Sequence, residues 1–231
     1  TGMGGGMLNR YDVPRNIELI TSIFPEVRNI AFVSDNTYGG ISLQALVRAA
    51  VELASAEAPY WDKIAARLRY LGFARELSED EARRGITNFV AKLRYLTAKG
   101  LYGSYILEHY TERELSAAAR FMAEERNHLY TYAGLDLLLS RYVIHTHHGV
   151  ALESPQEMYL GIALHLAMLE KPDVRMEWVR RFYDMLSLQQ VTMATPTLAN
   201  ARKPYHQLSS CFIDTVPASL QAIYRSLASF A

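Results

Sequence analysis

The segment ATPTLANARKPYHQLSSCFID (residues 194–214) contains the residues whose chemistry is most distinctive. Its cysteine, Cys211, is the only cysteine among 231 residues. Ser209 and Ser210 precede it directly, and Thr195 lies earlier in the same segment. Hydroxyl groups and loop amides can bind a phosphate, and a thiol can supply electrons in a redox step. These residue types indicate an oxyanion site beside a thiol, although a lone cysteine is also commonly an inert, packed side chain.

Two other groups of residues have spacings found among metal ligands, but neither group completes a metal site. His145, His147 and His148 have no cysteine or carboxylate pair beside them, so we interpret them as the solvated tip of a hairpin. Glu125 and His128 have the Glu-x-x-His spacing of carboxylate-bridged di-iron bundles, which need it twice. The spacing occurs once here, which favours a charged surface. We therefore predict no metal ligands in the chain.

The composition excludes several classes of protein. Hydrophobic residues make up 50% of the chain and charged residues 21%, as in a globular domain with a core. Lys plus Arg and Asp plus Glu number 24 each, so no net charge attracts nucleic acid or an acidic membrane. No apolar run is long enough to span a membrane. One cysteine excludes an internal disulfide framework and is typical of a cytoplasmic protein.

Apolar residues recur at spacings of three and four through much of the chain, as in ISLQALVRAAVELASAEA, and predict helices. Two helix starts are marked by capping boxes. Thr111 is followed by Glu114, and Ser154 by Glu157, with Pro155 at the first helical position. We expect about six to eight helices, with strand character confined to a hairpin turning at residues 147–149 and to the final segment.

The chain divides into three predicted regions. Residues 1–40, rich in Gly, Pro and Asn, are expected to form an arm on the body of the protein. Residues 41–190 are expected to form a helical domain. Residues 191–231 have a different pattern: LSSCFIDTV predicts a short buried strand, and ASLQAIYRSLASFA begins a further helix that ends with the sequence.

These motifs together resemble a known family. The stretch VRRFYDMLSLQQVTMATPTLANARKPYHQLSSCFID is similar to the part of the ribonucleotide reductase large (catalytic) subunit that leads into the first strand of its ten-stranded α/β barrel. Upstream segments, LVRAAVELASAEAPYWDKIAARL and ESPQEMYLGIALHLAM among them, follow in the family's order. The resemblance covers roughly residues 40–231. It implies a mainly α fold: the N-terminal helical domain of that subunit plus the first barrel strand.

The resemblance also implies roles for particular residues. Cys211 corresponds to a reducing cysteine that supplies a hydrogen equivalent to the 2′ carbon of the ribose and ends in a disulfide with a second, distant cysteine. Thr195 and Ser210, with Cys211, correspond to positions that contact the substrate. Ser219 and Leu220 correspond to the region where a nucleotide effector binds. Many members have an acidic residue before this Ser-Leu pair, whereas this chain has Ala218.

The resemblance implies partners that this chain does not itself contain. The second reducing cysteine and the thiyl-radical cysteine are expected on polypeptide beyond Ala231, so the chain alone should be inactive, whether it is a split-gene product, a cleavage product or an expressed fragment. No family ATP-cone opening is recognisable in residues 1–40. The radical source is expected elsewhere, in a metal-containing small subunit or as adenosylcobalamin, with no cofactor bound here. A ribonucleotide, a nucleotide effector and thioredoxin or glutaredoxin complete the expected partners.

Two alternatives remain open from the residues alone. The chain could be a non-catalytic helical scaffold or assembly domain, in which Cys211 is buried and inert. It could also be a thiol oxidoreductase that uses its single cysteine, which would require a thiol pKa well below about 8.5.

Overall fold

A computed structural model describes residues 39–55, 58–211, 215–216 and 218–229. Within them the chain forms ten α-helices, a 3₁₀-helix over Glu124–Leu129 and a π-helical turn over Leu138–Tyr142. The helices are α1 (Gly39–Leu53), α2 (Tyr60–Arg84), α3 (Phe89–Ala98), α4 (Ser104–His109), α5 (Glu112–Ala119), α6 (Tyr132–Leu137), α7 (Pro155–Ala167), α8 (Pro172–Ser187), α9 (Thr195–Asn200) and α10 (Leu220–Ser229).

The helical prediction is confirmed, with more helices than expected in the described part of the chain. Three of the additional elements, α4, α6 and α9, have 6 residues each. A helix of that length contains fewer than two turns, so it shows no repeating apolar spacing. The expected arm falls almost wholly on residues outside the described ranges, although α1 already begins at Gly39.

Both predicted capping boxes are confirmed. Thr111 Oγ1 accepts the backbone N–H of Glu114 at 3.3 Å, and the Glu114 carboxylate accepts the N–H of Thr111 at 2.8 Å. Ser154 and Glu157 make the same reciprocal pair at 3.2 and 2.7 Å. Pro155 occupies the first turn of α7, where its missing N–H leaves no intrahelical bond unmade. Local chemistry therefore fixes where α5 and α7 begin.

Helix α7 lies at the centre of the core. It packs along α8, and its side chains are buried on nearly every side, among them Met158, Leu160, Ile162, Ala163 and Leu164. The backbone of Gly161 comes close to its neighbours: a Cβ there would lie 2.1 Å from Tyr102 Oη and 2.9 Å from Arg202 Cδ. Glycine at this position lets two large buried side chains reach the helix surface.

The start of α7 also binds a buried lysine. Lys92 of α3 is 3% exposed, and its Nζ donates to the Glu157 carboxylate oxygens at 2.6 and 2.7 Å. Glu81 is a second carboxylate partner. Burial alone would lower the pKa of Lys92, but these two carboxylates outweigh it and raise the pKa above its usual value. The lysine is therefore charged inside the protein.

The predicted hairpin is present as a single antiparallel bridge between His145 and Ala151. Thr146 donates its N–H to Val150 at 2.8 Å, and Gly149 adopts a φ of 79° that closes the turn. The turn leads directly into Glu153 and the start of α7, so it sets the direction in which α7 enters the core.

The predicted buried strand is not formed in residues 208–211, which are irregular. Ser209, Ser210 and Cys211 are exposed, so the expectation of burial is wrong for these three residues in this chain. A strand needs a neighbouring strand to pair its N–H and C=O groups, and the described residues contain only the isolated hairpin bridge. The first barrel strand stays a prediction, and residues 212–214 lie outside the described ranges.

Helix α10 differs from the others because none of its described residues is buried. Large apolar side chains are exposed along it, namely Leu220, Ile223, Tyr224 and Leu227. The prediction that a helix forms here is confirmed, and the domain division at residue 190 stays a prediction. No helix in the described ranges has the length and apolar character needed to cross a membrane.

A candidate active-site segment anchored by a buried ion pair

The structure places Thr195 at the first residue of α9. The residue is exposed, and its Oγ1 lies 3.1 Å from the hydroxyl of Tyr142. Both side chains line a half-open cavity of about 310 Å³, together with Thr192, Tyr159 and several leucines. The cavity combines apolar walls with four hydroxyl-bearing side chains, those of Tyr142, Tyr159, Thr192 and Thr195. A hydroxyl at its edge is available to a ligand.

Ser210 and Cys211 lie next to each other at the exposed end of the segment. The Ser210 hydroxyl is 3.8 Å from the Cys211 sulfur, and both residues are exposed. No hydrogen bond joins either of them to Thr195. Ser210 and Cys211 are consecutive along the chain, and the third predicted substrate residue, Thr195, lies at the start of α9.

A buried ion pair holds the chain between α9 and Cys211. Arg202 and Glu153 have side-chain exposures of 0% and 1%. The Arg202 Nε donates to the two Glu153 carboxylate oxygens at 2.9 and 3.1 Å, and Nη2 makes a further bond to Glu153. Burial alone would lower the pKa of Arg202, but the Glu153 carboxylate outweighs it and raises the pKa. Such a pair is stable only when its remaining hydrogen-bonding groups are also satisfied.

The remaining groups of the pair bind main-chain atoms from three elements. Arg202 Nη1 donates to the carbonyl of Leu198 in α9, and Nη2 donates to the carbonyl of Tyr142, both at 2.7 Å. Glu153 accepts the N–H of Ile144 at 2.9 Å. The pair therefore connects α9, the end of the π-helical turn and the hairpin that precedes α7.

A cluster of aromatic and imidazole rings anchors the same chain a little further on. The Tyr105 hydroxyl donates to the carbonyl of Ala201 at 2.7 Å and lies 2.9 Å from His165 Nδ1. The His206 ring packs at an angle against both, with centroids 4.7 Å from Tyr105 and 5.2 Å from His165. Burial first, and then the nearby His206, lower the pKa of His165 to about 4. His165 is therefore a neutral, buried histidine at pH 7.

Two further features shape the loop that leads to Cys211. Asn200 at the end of α9 donates its side-chain amide to the carbonyl of Gln207 at 3.0 Å, closing the loop between them. Lys203 is half-buried, and burial followed by the neighbouring Arg202 lowers its pKa. The segment from Thr195 to Gln207 is thus tied to the helical body at several points.

The predicted effector residues, Ser219 and Leu220, lie at the start of α10. Ser219 Oγ accepts the N–H of Ala222 at 3.2 Å and caps the helix. Leu220 is 71% exposed.

The histidine cluster of the hairpin does not converge. His145 Nε2 lies 2.8 Å from the carbonyl of Leu139, whereas His147 and His148 are exposed. Within the described ranges, no three His, Cys, Asp or Glu side chains are grouped as a metal site would require. Glu124, next to Glu125 on the 3₁₀-helix, accepts hydrogen bonds from Tyr70 at 2.6 Å and from Asn127 at 2.8 Å.

Sequence reasoning missed Tyr142, Glu153 and Arg202. The signals available were indirect: Glu153 comes just before the capped start of α7, and Arg202 is one of two basic residues before Pro204. Their contacts join positions 49 and 60 residues apart, which spacing along the chain does not indicate.

Comparison with known proteins identifies the class to which this helical body and its anchored segment belong. The family model described as the ribonucleotide reductase all-alpha domain matches residues 128–206, a range that includes Glu153, Thr195 and Arg202. The chain belongs to the ribonucleotide reductase large-subunit family and contains its all-alpha domain.

Individual relatives agree with this assignment. Over 189 residues the chain is 56% identical to the ribonucleoside-diphosphate reductase subunit alpha of Treponema pallidum (strain Nichols), covering 82% of the chain and 22% of that protein. The subunit alpha of Synechocystis sp. is 35% identical over 78% of the chain and 22% of its own length. That of Chlamydia trachomatis is 32% identical over 90% of the chain and 20% of its own length. The chain thus spans about a fifth of the relatives that it matches.

Proposed function

We propose that this chain forms the helical domain and the beginning of the active site of a ribonucleotide reductase catalytic subunit, which converts ribonucleotides to 2′-deoxyribonucleotides. The observation that carries the proposal is the position of Cys211. It is the only cysteine of the sequence, it is exposed, and it ends a segment that a buried ion pair and a ring cluster tie to the helical domain.

In the proposed reaction Cys211 is one of two reducing thiols. Replacement of the ribose 2′-hydroxyl by hydrogen releases water and consumes two electrons and two protons. The two thiols supply them and become a disulfide. Because the sequence has one cysteine, the second thiol belongs to other polypeptide. The radical that starts the reaction would come from a metal-containing small subunit or from adenosylcobalamin.

The hydroxyls of Thr195 and Ser210 are the proposed substrate contacts. Both residues are exposed, and a hydroxyl can donate a hydrogen bond to a phosphate or ribose oxygen. Ser219 and Leu220, next to each other at the start of α10, are proposed to lie near a nucleotide effector. The exposed apolar residues of α10 support a further proposal, that the rest of the catalytic subunit packs on this face.

The complete enzyme would act in the reducing cytoplasm, where thioredoxin or glutaredoxin could return the disulfide to two thiols. A ribonucleoside diphosphate is the proposed substrate, because the relatives are named ribonucleoside-diphosphate reductases.

The test is Cys211→Ser in the complete catalytic subunit that contains this chain, assembled with its radical source. The substitution removes one of the two electron-donating thiols and keeps a small polar side chain. We expect the rate of deoxyribonucleotide formation over many turnovers to fall by at least about a thousandfold. Ser209→Ala, at the neighbouring exposed position, is the matched control and should retain most of the activity.

Sustained ribonucleotide reduction by the Cys211→Ser protein would overturn the proposal. It would favour instead a helical scaffold or assembly role, in which the thiol has no chemical function.

A further inference from the structure

We propose that Tyr142 is a positioning residue that orients the Thr195 hydroxyl toward a phosphate-bearing substrate, and that the Glu153–Arg202 pair holds Tyr142 in place for this purpose. The inference rests on the proposed function and extends it to Tyr142, Glu153 and Arg202.

The contact between the two hydroxyls is the first observation. Tyr142 is 8% exposed, and its hydroxyl oxygen lies 3.1 Å from Thr195 Oγ1. Thr195 itself is exposed at the edge of the cavity. A buried, rigid phenol therefore binds a side chain that solvent and ligands can reach, and it limits the rotation of that side chain.

The placement of the Tyr142 backbone is the second observation. Tyr142 ends the π-helical turn over Leu138–Tyr142, and its carbonyl accepts a hydrogen bond from Arg202 at 2.7 Å. The same guanidinium donates to the carbonyl of Leu198 at 2.7 Å, three residues after Thr195 in α9. One buried cation thus fixes the main chain on both sides of the hydroxyl–hydroxyl contact.

The chemistry of the ligand sets the direction of the hydrogen bond. An ionised phosphate oxygen only accepts hydrogen bonds, so the Thr195 hydroxyl has to donate to it. Its oxygen then accepts from Tyr142, whose phenol is the donor. A donated bond from Tyr142 also polarises the Thr195 O–H and makes it a better donor to the anion. The arrangement suits a ligand with a terminal phosphate oxygen and no hydrogen to donate there.

The experiment is a double-mutant cycle with Tyr142→Phe and Thr195→Val in the complete catalytic subunit. Tyr142→Phe removes one oxygen and keeps the ring. We expect the KM for the ribonucleotide to rise about two- to tenfold in each single variant, with kcat within about twofold, because a binding contact is lost. The double variant should be no worse than Thr195→Val alone, since Tyr142 acts only through Thr195.

Two controls separate positioning from a general loss of packing. Tyr110→Phe removes another buried tyrosine hydroxyl, one that donates to the carbonyl of Leu164 at 2.7 Å, and should leave the KM unchanged. Thr195→Ser keeps the hydroxyl, so its KM should be lower than that of Thr195→Val. Denaturation midpoints of all variants show whether each is folded.

Three results would contradict the inference. If Thr195→Val raises the KM and Tyr142→Phe does not, Tyr142 has no positioning role, while the proposed function stands. If the two effects multiply in the double variant, Tyr142 acts independently of Thr195. If Thr195→Val leaves the KM unchanged, Thr195 is no substrate contact and the inference fails. The Cys211→Ser test decides the proposed function separately.

Discussion

At the scale of single residues, the segment that ends at Cys211 has exposed groups that could react and is held by buried groups. Cys211, Ser210 and Thr195 are exposed, while Arg202 and Glu153 are among the most buried side chains of the described residues. Reactive groups have to meet a substrate, whereas the groups that fix their position are most effective when packing restricts their rotamers.

His165 provides a test of the ring cluster beneath this segment. Its pKa in the folded chain is lowered from 6.5 to about 4, so the unfolded chain binds more protons between these values. The contribution of His165 to the free energy of unfolding is therefore complete above about pH 6.5. It decreases as the pH drops toward 4, by up to roughly 3 kcal/mol. We predict that His165→Asn removes much of this fall, as measured by urea denaturation across that pH range.

His109→Asn is the matched control, because His109 is exposed and its Nδ1 is also in a hydrogen bond, with the backbone carbonyl of Tyr105 at 2.7 Å. It should retain the pH dependence of the unaltered chain. If His165→Asn retains it as well, His165 is not the residue whose protonation destabilises the fold.

The reactive residues of the segment could be recognised from the sequence, but the buried residues that hold them in place could not. Cys211, Thr195 and Ser210 stand out because thiols and hydroxyls have recognisable chemistry. Tyr142 and Arg202 are 60 positions apart and are brought together by the fold. No local or periodic pattern in the sequence indicates their contact. Sequence also overestimated the burial of Cys211, since an apolar neighbourhood along the chain does not ensure a packing partner in space.

At the scale of elements, local capping chemistry was sufficient to predict the starts of α5 and α7. The short helices were not predictable in this way, because α4, α6 and α9 have 6 residues each and depend on tertiary packing for their stability. The strand in residues 208–211 is absent for a related reason: a strand forms only with a pairing partner, and the sequence pattern does not supply one.

A Glu→Gln substitution should lower the free energy of unfolding by different amounts in the two capping boxes. Glu157→Gln keeps a capping side chain but removes a charge that neutralises the buried Lys92. Among the described residues, Glu81 is then its one remaining carboxylate partner. We expect a loss of about 2–4 kcal/mol in the free energy of unfolding at pH 7, measured by urea denaturation.

Glu114→Gln is the control, since the Glu114 carboxylate caps α5 without a buried lysine beside it. It should cost less than about 1 kcal/mol. Equal losses in the two variants would show that Lys92 does not depend on Glu157 for its charge compensation.

At the scale of the whole molecule, the chain is one domain of a larger assembly in the proposed account. It matches 22% of the length of its relative from Treponema pallidum. Its helix α10 exposes Leu220, Ile223 and Leu227, residues that would be buried if the barrel packed on them. The sequence predicted this organisation through the order of its motifs, whereas the barrel itself depends on residues that pack from elsewhere.

In the proposed reaction, Cys211 is oxidised each time that a ribonucleotide is reduced. The most direct measurement is a single-turnover reaction of the fully reduced, complete catalytic subunit with its substrate, effector and radical source, without thioredoxin, glutaredoxin or added thiol. Free thiols are then alkylated and the peptide containing Cys211 is quantified by mass spectrometry. We predict one Cys211 disulfide to a second cysteine for each deoxyribonucleotide formed. If deoxyribonucleotide forms and every Cys211 thiol remains free for alkylation afterwards, Cys211 is not a reductant in the reaction.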